Sequence, residues 1–356
     1  MPGETFSVET DRSGHGVQWP WSPHTRFPQL DESFCRSLYK KKTPLVKGAA
    51  KLYEATLDEA GFWSGFTSWQ HALFYSLPID TLRRLMAYPE IIRSLGDNAK
   101  DFGLLFVHGS NLLRFDDVSS PAVTYPSMSN NQFHTLMQSI YTRDLGMCIV
   151  MDKPGPVDYV RILPAEVGNL SSGVFKSIFH VADRFFDKTF RSYLRIALDL
   201  LCRAREQPWN IITLSQEVRQ LFHRGLVGFK PLGVITEWDG DRIMYYATFS
   251  FHWLGRNQIK MNESVEPDDT LLTQMLSRCE DLEQNQNDSP SCRVHDKKVI
   301  DIPFQNPCDA HMMLTMMAVR WAAGVFWCLA GAGGVGPGDD GIHDDGEFSQ
   351  PVIWRV

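Results

Sequence analysis

Apolar positions along the chain change their spacing several times, and each spacing predicts a different element. Residues 1–30 show no period, and Gly, Pro and His break up WPWSPHTRFP, which predicts an irregular arm. Between Asp31 and Asp101 the spacing turns helical. IDTLRRLMAYPEIIRSL, from Ile79, places Leu82, Leu85, Met86 and Ile91 near one face until Pro89 interrupts it. FGLLFVHGSNLLRF, Phe102 to Phe115, holds two strand-like runs around a His-Gly-Ser-Asn turn. A Ser/Pro-rich loop, Ser119 to Ser129, then precedes a helix from Asn130 to Asp144.

Phe175 to Arg205 sets Phe175, Ile178, Phe179, Ala182, Phe186, Phe190, Leu194, Leu198 and Leu201 at helical spacing, a long helical insertion. After Leu232, GVITEWDGDRIMYYATFSFHWL predicts a hairpin, with Asp239-Gly240 between two alternating runs as a type I′ signal. A helix from Thr270 to Glu283 and a polar loop, QNQNDSPS, follow. AHMMLTMMAVRWAAGVFWCLA, Ala310 to Ala330, has the roughly 20 residues a bilayer span needs. Arg320 near its centre makes insertion costly, so a buried helix presenting Met, Trp and Phe is the expectation. Gly331 to Ser349 is Gly/Asp-rich and predicts disorder. The fold class expected is α+β. Its parts are an irregular and helical region (1–101), an α+β core with a helical insertion (102–256), a helical region (257–330) and a tail (331–356).

The chain has 356 residues, 43% hydrophobic and 22% charged, enough for a sizeable core. Its net charge of -7 argues against a dedicated nucleic-acid binder, because phosphate neutralisation normally requires a basic surplus. Cysteines 35, 148, 202, 279, 292, 308 and 328 form no CxxC and no zinc spacing, which suits a reducing compartment. MPGETFSVETDRSGHG has no apolar signal region. A protein of the cytoplasm or nucleus, outside the membrane, is expected.

Two segments carry the candidate chemistry. CIVMDKPGPVDYVRIL, Cys148 to Leu163, is an apolar run, a Lys-Pro-Gly-Pro turn and a second apolar run. NIITLSQEVRQLFHRGLVGFKPL, Asn210 to Leu232, is an asparagine, a strand-like piece, a helix and a Gly-containing exit. With Cys148, Pro164, Asn210, Leu214, Phe222, Gly225 and Pro231 in place, residues 140–345 resemble the fungal HNH-nuclease-like proteins. The resemblance implies a ββα unit that holds one divalent metal against a scissile phosphate. In such a site one His takes a proton from water, an Asn orients it, and a second His helps hold the metal.

The resemblance puts Arg161 at the first His position and Arg219 at the second, and only Asn210 remains. A guanidinium stays protonated far above neutral pH and has no lone pair for a metal. A conventional nuclease mechanism is therefore lost, and neither metal nor cofactor is expected. His223 lies one turn beyond Arg219 and could reach toward the ligand position, or simply cap the helix end before Gly225. Asp158 reads either as a carboxylate ligand or as solvated turn chemistry. His180 and Asp183 share a helix face, yet Phe179, Phe185 and Phe186 make that a packing helix first. Ser110 lacks the nucleophile-elbow pattern, GAGGVG follows a helix rather than a strand, and Lys40-Lys41-Lys42 and Lys297-Lys298 read as solvated faces.

Three functions follow. The first is a non-catalytic HNH-like domain whose Arg161 and Arg219 point into the old cleft and bind an anionic small molecule or an acidic protein surface. Asp158, Glu166 and Glu217 are the nearby acids that could neutralise them. The second is a non-nuclease enzyme or accessory protein of a fungal specialised-metabolite pathway, with His223, Asp158 or His180 moving protons. The third is a residual metal-dependent nuclease. Nucleic acid is not the favoured partner.

Overall fold

The computed structural model describes residues 36–57, 66–97, 99, 112–113, 130–151, 155–163, 194–201, 207–223, 225–254, 294 and 297–330. The expected arm at 1–30, the loop at 119–129, the first strand-like run, the helix at 270–283 and the tail lie outside these residues. Antiparallel sheets and packed helices make the chain α+β.

Four helices open the described chain: α1 (Arg36–Ala55), α2 (Ser68–Ser76), α3 (Ile79–Leu85) and α4 (Pro89–Asp97). Pro89 divides α3 from α4 because a proline has no N–H and clashes with the preceding turn. Leu82, Leu85, Ile92 and Leu95 are buried, while Met86 and Ile91 pack half-buried at the edge of the core. The expected solvated lysine face needs correction at Lys42. That side chain is 1% exposed. Its ammonium donates to the Tyr75 carbonyl at 2.9 Å and lies 5.3 Å from the Tyr39 ring, so burial is compensated by a charge-assisted bond and a cation–π contact.

α1 and α4 meet where Gly96 faces Tyr53. A Cβ on Gly96 would stand 2.7 Å from the Tyr53 ring, whose hydroxyl donates to Asp97 at 2.7 Å. Gly96→Ala is expected to destabilise by about 1–3 kcal/mol through overpacking, measured by urea denaturation.

The first sheet runs β1 (Leu112–Leu113), β2 (Val157–Arg161), β3 (Ile211–Ser215), all antiparallel. Helix α5 (Asn130–Arg143) covers one face with Leu136, Met137 and Ile140, packed on Tyr159 and Ile211. Arg143 and Asp144 lock α5 to the start of β3. The guanidinium donates from Nε to one Asp144 oxygen at 2.6 Å and from Nη2 to the other at 2.8 Å. It also donates to the Pro208 and Ile211 carbonyls, and Asp144 accepts from the Thr213 hydroxyl.

Residues 194–201 are helical (α6) and bury Leu194, Leu198 and Leu201, in agreement with the spacing expected of the insertion. A 3-10 turn, Pro208–Asn210, leads into β3, which passes directly into α7 (Gln216–His223).

The second sheet has the order β4 (Val227–Asp239), β5 (Arg242–Trp253), β6 (Val299–Phe304). The expected hairpin is present, with one correction to its turn. Asp239 pairs with Arg242, so Gly240 and Asp241 form the loop, and of the two only Gly240 has positive φ (+61°). That is the type II′ pattern rather than I′, which needs positive φ at both positions. Pro231 lies within β4, the outer strand of this sheet among the described residues, and the register shifts between it and Gly233.

Helix α8 (Pro307–Leu329) packs on β4, α2 and the 3-10 turn. Asn306 caps it, accepting from the Cys308 N–H at 2.9 Å, and Pro307 supplies a fixed φ at the first helical position. Among the described residues no helix is long and apolar enough to cross a membrane. One buried cluster runs from Tyr39 on α1 to Ala330 after α8, so the regions expected at 1–101, 102–256 and 257–330 share a hydrophobic core.

Candidate functional site

The strand–strand–helix succession β2, β3, α7 assembles the residues singled out in the sequence. Asn210 stands at the base of the β2–β3 pair. Its Oδ1 accepts from the Leu163 N–H at 3.0 Å, its Nδ2 donates to the Leu163 carbonyl at 2.9 Å, and its own carbonyl accepts from the Ile162 N–H. The side chain is buried with its amide engaged on both sides. Its work is to tie the chain leaving β2 to the chain entering β3.

Strand alternation separates the two arginines. Arg161 pairs with Ile211 and Tyr159 with Thr213, so these residues share the face covered by α5. Asp158, Val160, Ile212 and Leu214 take the other face, where Val218 and Phe222 of α7 join the main core. Arg161 is 2% exposed on the α5 side, whereas Arg219 rides on α7. The expected convergence of Arg161 and Arg219 in one cleft is therefore corrected: Arg161 takes the α5 face of β2, whereas Arg219, on α7, reaches Asp158 on the other face.

Arg219 meets Asp158 instead, Nε to Oδ2 at 3.3 Å. Glu217, the same-helix acid expected to pair with it, is exposed. The contact is an ion pair without hydrogen-bond geometry, because the Arg219 Nε atom is buried and has no hydrogen-bond partner. One turn on, the His223 Nε2 atom is likewise buried without a partner. A third group closes in from α8. Arg320 stacks on the Phe222 ring at 4.5 Å and donates to the Phe222 carbonyl at 3.4 Å, next to His223. Arg320 was legible in the sequence only as a charge unsuited to a membrane.

These groups set the electrostatics. Burial, then Arg320 and Arg219, push the His223 imidazolium down to about 3. Burial alone lowers Arg320 to about 9, which leaves it charged at neutral pH. His311, on the buried face of α8, is lowered by burial to about 4. The folded protein therefore holds both imidazoles neutral, while the unfolded chain protonates them near pH 6.5. Between pH 6.5 and about 3–4 the unfolded state binds more protons, so stability falls as pH falls. Each group contributes a slope of at most about 1.4 kcal/mol per pH unit. His223→Gln is expected to flatten this dependence, read from urea midpoints at pH 7, 6, 5 and 4.

Two guanidinium groups, one carboxylate and a neutral imidazole leave this group of side chains net positive. Among the described residues no group of three His, Cys, Asp or Glu side chains could hold a metal ion. His180, Asp183, Ser110 and Glu166 lie outside the described residues. Set against known proteins, the chain matches no family model, no curated protein and no solved structure.

Proposed function

We propose that this chain is an HNH-like protein without nuclease chemistry, and that the α7 face of its ββα unit binds an anionic small molecule or an acidic protein surface. The observation that carries the reading is the pair of buried nitrogens that make no hydrogen bond, Arg219 Nε, held only in its ion pair with Asp158, and His223 Nε2, one helical turn apart. A buried polar group without a hydrogen bond costs about 1–3 kcal/mol, and an incoming oxyanion relieves that cost at the Arg219 N–H and, in the tautomer that carries the proton on Nε2, at His223. Asp158 belongs to the same site and holds Arg219 in place between ligands. The strand–strand–helix order and the bonds of Asn210 support the HNH-like reading of the scaffold. Arg161 has no part in the site, since it faces α5.

Isothermal titration with phosphate, sulfate, nucleotides and small carboxylates tests binding, at constant ionic strength because sulfate also stabilises proteins nonspecifically. Saturable binding that weakens at least tenfold in Arg219→Gln is expected. No heat with any anion, together with an unchanged melting temperature, would retire the anion site.

The same chemistry predicts no cleavage of single- or double-stranded DNA with magnesium, manganese or zinc, because among the described residues Arg161 and Arg219 stand where the base and ligand would be and no ligand cluster is present. Gel assays check this. Cleavage that chelator and Asn210→Ala both abolish would revive the residual-nuclease reading. Arg161→His combined with Arg219→His is expected to create no metal site, because position 161 faces α5 while position 219 lies on α7, over the other face of β2.

A further inference from the structure

The second sheet carries a row of polar side chains that the anion site does not use. Thr248, Ser250 and His252 alternate along β5 and so share one face, with Phe249 and Phe251 on the other. Lys230 of β4 stands directly across from Ser250 on that same face. All four are buried. The Ser250 Oγ lies 2.8 Å from the His252 Nε2, and the imidazole packs on Trp321 with centroids 5.2 Å apart. On the β6 side Ser250 pairs with Val299 and Thr248 with Asp301, and both partners are exposed. Ser250 is thus one strand spacing, about 4.8 Å, from a side chain open to solvent.

A serine hydrogen-bonded to a histidine, taken alone, is only a well-satisfied polar pair. The neighbouring hydroxyl is what points further. Thr248 Oγ1 is buried and makes no hydrogen bond, a donor left unused on the face where Ser250 and Lys230 already stand. We propose that this row is a second site, in which Ser250 is a nucleophile, His252 its base, and Thr248 with Lys230 the donors that receive an acyl oxygen. Its substrates are small carboxylic esters, because the row itself is buried and the exposed side chains next to it are those of Val299 and Asp301 on β6.

The chemistry balances without any further reactant than water. Ser250 Oγ bonds to the ester carbonyl carbon as its proton passes to His252 Nε2, and negative charge on the carbonyl oxygen falls to Thr248 and Lys230. The tetrahedral adduct breaks its bond to the leaving alcohol oxygen, which takes the proton from His252. Water then attacks the acyl-serine, gives its proton to His252, and Ser250 leaves with that proton as the carboxylic acid is released.

Incubating the full chain with a fluorophosphonate probe, followed by peptide mapping, tests this directly. One probe per chain on Ser250 is expected, with turnover of p-nitrophenyl acetate. Ser250→Ala abolishes both, His252→Gln slows acylation at least about 100-fold, and Thr248→Val lowers kcat with KM held. Trp238→Ala, at the exposed hairpin tip, reacts like the parent. An unlabelled Ser250 in the folded parent protein overturns the proposal, whatever the variants do. Labelling of His252→Gln at the parental rate overturns it equally. Neither result touches the anion site, whose binding is measured separately.

Discussion

Asp144→Ala is expected to cost about 3–5 kcal/mol, because it leaves a buried guanidinium without its counter-charge. The Arg143 and Asp144 side chains are only 7% and 1% exposed, so water does little to screen or replace their bond. Asp144 accepts from Nε and Nη2 along one guanidinium edge and from the Thr213 hydroxyl, and its loss removes the acceptor of three hydrogen bonds at once. Arg143 spans Pro208 and Ile211 as well, so the damage reaches the start of β3. Double replacement of the pair by apolar residues is expected to cost less than Asp144→Ala alone, since no unpaired charge is then buried. Guanidinium denaturation of the three proteins checks this. A single variant as stable as the parent would show that the clasp is solvated.

Asn210→Ala is expected to cost about 2–4 kcal/mol, because the Leu163 N–H and carbonyl both lose a partner in a place water does not reach. Asn210→Asp separates the two bonds. It keeps an acceptor for the Leu163 N–H but sets a buried carboxylate oxygen against the Leu163 carbonyl, so it should be no more stable than the alanine variant. Urea midpoints of the two variants decide the matter. If the Asn210→Asp variant keeps parental stability, the amide does not face the backbone in the way described.

Elements set by local chemistry were legible in the sequence. Pro89 divides two helices, the Asp239-Gly240 signal locates a hairpin, and Asn130 opens a helix because these signals act over a few residues. What the sequence hid was direction. Whether Arg161 faces α5 or α7 depends on which parity of β2 meets which helix, and one residue of register reverses it. Arg320 was hidden for a related reason. Nothing near it in the chain says that α8 lies beside the end of α7, 98 residues away. Lys42 shows the same limit, since its partner Tyr75 belongs to another helix.

Pro231 and the register shift beside it bear on how the protein behaves in a crowded solution. Outermost among the described strands of its sheet, the 13-residue β4 offers a line of backbone donors and acceptors on which a foreign strand could grow. A proline has no hydrogen to give to such a strand, and the irregularity at Gly233 bends the line out of step just beyond it. The interruption falls between the buried half of β4 and the arm that carries the exposed Trp238. Any sheet that begins on the arm therefore meets a stop before it reaches the core, which makes this edge a poor template for aggregation.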